Sequence, residues 1–132
     1  MHGCSSANDH WRPLDFGYGN IRFSDEKARL DNYAIQLQNN PTDRGVIIAY
    51  GSCQGEALNR AKRAKNYLSK TRGIDASRIH IVDGGCRAEL SVVLWMVPLG
   101  AKAPEASSSL EVSPCPKCKA PARRGRCTRG EE

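Results

Sequence analysis

The chain has 132 residues, 39% hydrophobic and 26% charged, and 20 basic against 14 acidic side chains give it a formal charge of +6. That length supports one ordinary hydrophobic core with tails and excludes two independent cores. No eighteen apolar residues run together and Met1-His2-Gly3-Cys4 opens with neither a basic nor an apolar stretch, so the sequence as written shows no membrane span or secretion signal, and the charge falls short of the basic stripe of a dedicated nucleic-acid binder.

Residues 1–13 read as a flexible leader and residues 14–100 as the folded unit. Leu14-Asp15-Phe16-Gly17-Tyr18 is a candidate first strand. Ser24 is placed to cap a helix, with Asp25 and Glu26 set against its positive end, and Leu30, Tyr33, Ala34 and Leu37 recur at helical spacing until Asn39-Asn40-Pro41. Val46-Ile47-Ile48-Ala49-Tyr50 is a β-branched run closed by Gly51 and reads as a buried strand. Ala57, Ala61, Ala64 and Leu68 then mark the apolar stripe of a second helix, with Arg60, Lys62, Arg63, Lys65 and Lys70 on its other sides and Gly73 just past its end. Ile79-His80-Ile81-Val82 is a further strand that Gly84-Gly85 is expected to end. Residues 90–97 are almost continuously apolar, which predicts a central strand covered on both faces.

The resulting order, β-α-β-α-β-β, predicts an α/β fold, specifically an α+β two-layer sandwich. Helices over residues 25–39 and 56–70 are expected on one face of a mixed sheet in which residues 46–50 and 79–82 run parallel. From Ala101 the sequence has no aromatic residue and no Ile, and is rich in Pro, Ser, Ala, Lys and Arg. Such a composition buries too little surface to offset its ordering entropy, so residues 101–132 are expected to be disordered.

Asn59-Arg60-Ala61-Lys62-Arg63-Ala64-Lys65-Asn66-Tyr67-Leu68, with the later positions Gly73, Ile74, Arg78, Ile79 and Gly84, resembles the signature of the OmpA-like C-terminal domain family. That family includes outer membrane protein A, the peptidoglycan-associated lipoprotein and the flagellar stator protein MotB. The resemblance extends over roughly residues 14–97. It implies a non-enzymatic bacterial module of the cell envelope, at the outer membrane or in the periplasm, that holds peptidoglycan by its stem peptide. Arg63 matches the family's helix arginine, whose guanidinium fork suits a ligand carboxylate. The family's loop aspartate has no counterpart in Gly51-Ser52-Cys53-Gln54-Gly55, and Glu56 is the nearest acid. The resemblance thus implies a ligand site at Arg63, Ser52, Gln54 and Glu56 in which binding is weakened or lost. The alternative it leaves open is a structural or protein-interaction domain of a larger extracellular protein.

Six cysteines are present. Cys53 and Cys86 each follow a strand, and two parallel neighbours would bring both thiols to one end of the sheet, which makes a Cys53–Cys86 disulfide and an oxidising compartment the expectation. Cys115-Pro-Lys-Cys118 is half a zinc knuckle, but only Cys127 follows it and no His lies beyond His80, so Cys115, Cys118 and Cys127 are weak metal candidates and no metal or other cofactor is expected. Cys4 follows Gly3 without the apolar run of a lipoprotein signal. Neither a Walker sequence nor Gly-x-Gly-x-x-Gly is present, and no catalytic set convinces, so the chain does not read as an enzyme. Nonspecific nucleic-acid contact by the basic helix and tail is a further candidate, without sequence-specific binding.

Overall fold

The spacing of Leu30, Tyr33, Ala34 and Leu37 closes into helix α1 (Phe23–Asn39) in the computed structural model of the protein, which describes residues 17–119. All four side chains are buried. The helix begins one residue ahead of Ser24: Arg22 holds the extended N-cap position, and no side chain caps it. Ser24 is therefore an exposed residue of the first turn, while Asp25 and Glu26 do stand at the positive helix end.

Strand β1 (Arg44–Gly51) follows, then helix α2 (Glu56–Asn66), which a π-helical turn (Tyr67–Thr71) prolongs. Gly55 enters α2 with φ +81°, a left-handed value that favours glycine. Ala57, Ala61 and Ala64 are at most 4% exposed, and these small residues let α2 lie close on the sheet. A 3₁₀ turn (Ala76–Arg78) leads into β2 (Ile79–Cys86), and β3 (Ser91–Val97) completes the sheet.

The strand order is β2-β1-β3, with β1 parallel to β2 and antiparallel to β3. The fold is thus an α+β sandwich with a mixed sheet. Val46 pairs with His80 and Ile48 with Val82, as the parallel reading required. Gly84-Gly85 does not end β2: the register slips between Ala49 and Gly51 and the strand resumes to Cys86, with Gly85 at φ +97° in the irregularity. Of the candidate first strand, Tyr18 makes an antiparallel bridge to Val92, and residues 14–16 lie outside the described residues.

The strand covered on both faces is β1, not β3: every residue of β1 after Arg44 is buried, whereas β3 alternates. Ile47 and Ala49 point into a core with α1, α2, Val92 and Leu94, so both helices lie on one face. Val46, Ile48 and Tyr50 point the other way, where Val97, Trp95, Ala101 and Ala103 pack around them.

That second cover corrects the expectation of disorder from residue 101. Pro104 is buried, Arg44 donates to the Ala101 carbonyl at 3.2 Å, and Ser107 N–H donates to the Tyr50 hydroxyl at 3.1 Å. Val112 N–H donates to the Cys86 carbonyl and Gln54 N–H to the Pro116 carbonyl, both at 2.8 Å. The segment through Lys119 has little apolar surface of its own. It is ordered on the sheet by these bonds and by covalent cross-links. The remainder of the tail, 120–132, and the leader, 1–13, lie outside the described residues.

Candidate functional site

The cross-links also correct the disulfide expectation. The end of β2 and the loop after β1 do meet at one end of the sheet, but each core thiol pairs with the tail: Cys53 with Cys118 and Cys86 with Cys115. The Cα separations are 4.8 and 5.6 Å, inside the range a disulfide spans. The tail wins because its backbone is bonded to both partners at once, through Val112 beside Cys86 and Pro116 beside Gln54. Cys115 and Cys118 are accordingly not metal ligands, and Cys4 and Cys127 lie outside the described residues. Among the described residues no cluster of His, Cys, Asp and Glu could hold a metal ion.

The four candidate ligand residues fall into two separate units. Glu56 turns back on its own loop, accepting from the Ser52 backbone N–H and from the Ser52 hydroxyl, each at 2.7 Å. Gln54 donates its side-chain amide to the Cys115 carbonyl at 3.0 Å. Arg63 stands two turns further along α2, about 10 Å at 1.5 Å per residue. There it meets α1 instead of the loop.

Arg63 Nη2 donates to Glu26 Oε1 at 2.5 Å, and its guanidinium lies 4.4 Å from the centre of the Phe23 ring. Glu26 is fully buried. It accepts a second hydrogen bond from the Tyr18 hydroxyl, and Arg60 Nη2 lies 3.8 Å from its carboxylate. Burial, reinforced by the Glu26 charge and hydrogen bond, raises the Tyr18 pKa far above its ordinary value, so the phenol keeps its proton and remains the donor. Two guanidiniums thus flank one carboxylate. Arg60 is 14% and Arg63 39% exposed, so water reaches the outer edge of Arg63 alone to any extent.

A second polar cluster ties the far ends of the helices. Asp31 accepts from the Tyr67 hydroxyl at 2.6 Å and from Arg72 Nε at 2.7 Å. Burial pushes the Asp31 carboxyl up, but the hydrogen bonds from Tyr67 and Arg72 outweigh it and hold the pKa below the ordinary value. Arg78 donates to the carbonyls of Leu37 at 2.9 Å and Asn40 at 3.0 Å, closing the C-terminus of α1. His80 is exposed on β2.

Arg63 therefore belongs to an internal ion cluster whose other members, Glu26, Arg60 and Tyr18, the sequence spacing around Arg63 does not bring together. One signal pointed to Glu26: it lies four residues before Leu30 and seven before Tyr33, on the apolar stripe of α1. No helix among the described residues is long and apolar enough to cross a membrane. No family model matches the chain, and no curated protein matches it.

Proposed function

We propose that the chain is a non-catalytic, disulfide-stapled domain of the OmpA-like type that works outside the cytoplasm as a structural or protein-interaction module, with the peptidoglycan stem-peptide site lost. The observation that carries this reading is the engagement of Arg63 by a fully buried carboxylate of its own chain. A ligand carboxylate would have to displace Glu26, leaving that charge buried without its closest partner, at a cost of several kcal/mol. The loop supports the same reading. Glu56 and Gln54 are used within the fold, and Cys53, between Ser52 and Gln54, is bonded to Cys118.

Location outside the cytoplasm is supported by the two disulfides, which persist in oxidising compartments. The test is a titration of the purified chain with diaminopimelate-containing stem peptide, together with a pull-down on isolated cell wall, for the parent and Arg63→Ala. No saturable binding at millimolar peptide is expected. Saturable binding that Arg63→Ala abolishes would overturn the reading in favour of a peptidoglycan-binding module.

A further inference from the structure

The outer surface of the helical layer carries a feature that the loss of the stem-peptide site leaves untouched. Between α1 and α2 runs an open groove of about 860 Å³, bordered by Lys27 on one side and by Asn59, Lys62, Asn66 and Lys70 on the other. Its one lining carboxylate, Asp31, is engaged by Arg72 and Tyr67. Glu26 beneath it is enclosed by Arg63 and Arg60. Lys62 and Lys70 are exposed, and neither they nor Lys27 have an ion-pair partner among the described residues. The groove is therefore positive, and no acid of its own is free to neutralise it.

The order of the groups is informative. Lys62 and Asn66 stand four residues apart on α2, about 6 Å, and Lys70 follows on the π-helical turn that prolongs it, so a charge, an amide and a charge border the groove in sequence. Exposed lysines offer hydrated, nondirectional charge, whereas the arginine forks suited to bidentate phosphate recognition are already engaged here, Arg60 and Arg63 by Glu26 and Arg72 by Asp31. The aromatic rings are not free to stack on bases either. Phe23 is covered by Arg63 at 4.4 Å and Lys27 at 5.1 Å, and Tyr67 by Arg72 at 5.8 Å. Single-strand nucleic-acid sites rely on open aromatic faces. A chain that alternates anionic groups with hydroxyl-bearing, uncharged stretches matches the lysine and amide alternation. A groove open to solvent and lined from both helices suits an extended polymer.

We propose that the α1/α2 groove binds an acidic polysaccharide, the charge of which is a carboxylate or a sulfate. Arg63 also lines the groove, but the charges invoked here are those of Lys62 and Lys70, which lie outside the Glu26 cluster, so the inference does not rest on the stem-peptide reading. The test is a titration of the full chain with polygalacturonate, with dextran sulfate, with neutral dextran and with a single-stranded oligonucleotide, at low and raised salt. Binding to polygalacturonate or dextran sulfate that weakens with salt is expected, with none to dextran, and the tighter of the two identifies carboxylate or sulfate as the source. The double variant Lys62→Glu/Lys70→Glu changes two exposed side chains and should weaken binding tenfold or more, while Lys102→Glu, outside the groove, should bind as the parent does. Absence of binding to both acidic glycans, equal binding by the double variant, or tighter binding of the oligonucleotide would overturn the proposal.

Discussion

Replacing Glu26 by Gln keeps the size and shape of the side chain and removes its charge, which isolates what the ion cluster contributes. Tyr18 can still donate to the amide oxygen. Arg60 and Arg63 then lose the one carboxylate between them, and Arg60, at 14% exposure, cannot turn its charge into water. Removing one partner of a buried pair typically costs about 3 to 5 kcal/mol. Arg63 is 39% exposed and recovers part of its hydration, which places the expected loss at the low end, about 3 kcal/mol. Urea unfolding under non-reducing conditions measures this as a lower midpoint at unchanged slope. A double-mutant cycle with Arg63→Ala should return a coupling of about 1 kcal/mol or more, because the groups are in direct contact. Loss of less than about 0.5 kcal/mol in Glu26→Gln would be a surface-like effect. It would refute the argument that Glu26 commits Arg63 to the fold, and the displacement cost invoked against ligand binding would go with it.

Peptide mapping of the non-reduced chain should yield Cys53 linked to Cys118 and Cys86 linked to Cys115; a Cys53–Cys86 peptide would contradict the structure. The bonds span separations of 65 and 29 residues, so chain entropy gives about 4 kcal/mol for removing the first by paired Ser substitution and about 3.5 kcal/mol for the second, read by urea unfolding. Gly84→Ala should destabilise by about 1 to 3 kcal/mol, since its Cβ would fall 2.5 Å from the Tyr50 ring; an unchanged urea midpoint would show that the ring yields. The Asp31 pKa lies below its unfolded value, so its contribution to stability is present above pH 3.8 and is lost as pH falls through the folded value. Asp31→Asn should accordingly flatten the acid limb of a stability-pH profile below about pH 4, and an identical limb in parent and variant would rule out that contribution.

The local periods were legible because each element pattern is short-range. Leu30 to Leu37 announces its helix in one stripe, the Ala57, Ala61 and Ala64 stripe states how closely α2 must approach the sheet, and Gly73 marks where it turns. What composition could not give was the partner of a polar group. Glu26 reads equally as a dipole-compensating acid of a first turn and as a buried carboxylate, and the choice depends on Arg60 and Arg63 arriving from another helix. The assignment of β3 as the doubly covered strand failed for a related reason. Val93 and Trp95 are apolar because the tail, not a second helical layer, lies over that face, and they are only partly buried there.

The same reason explains the tail. The composition of residues 101–132 predicts disorder from how little apolar surface they can bury, and over residues 101–119 that premise holds: Leu110 is 64% and Val112 37% exposed. The inference failed because order need not come from burial alone. A three-stranded sheet with helices on one side leaves Val46, Ile48 and Tyr50 without cover, and the chain covers them with a segment too polar to stay by hydrophobic contact. Two disulfides at its far end remove much of the entropy of the unattached alternative, so the modest contacts of Ala101 and Ala103, Pro104 burial and the Ser107–Tyr50 hydrogen bond suffice. The cysteines and the poor apolar content of the tail are therefore one design: the first makes the second tolerable.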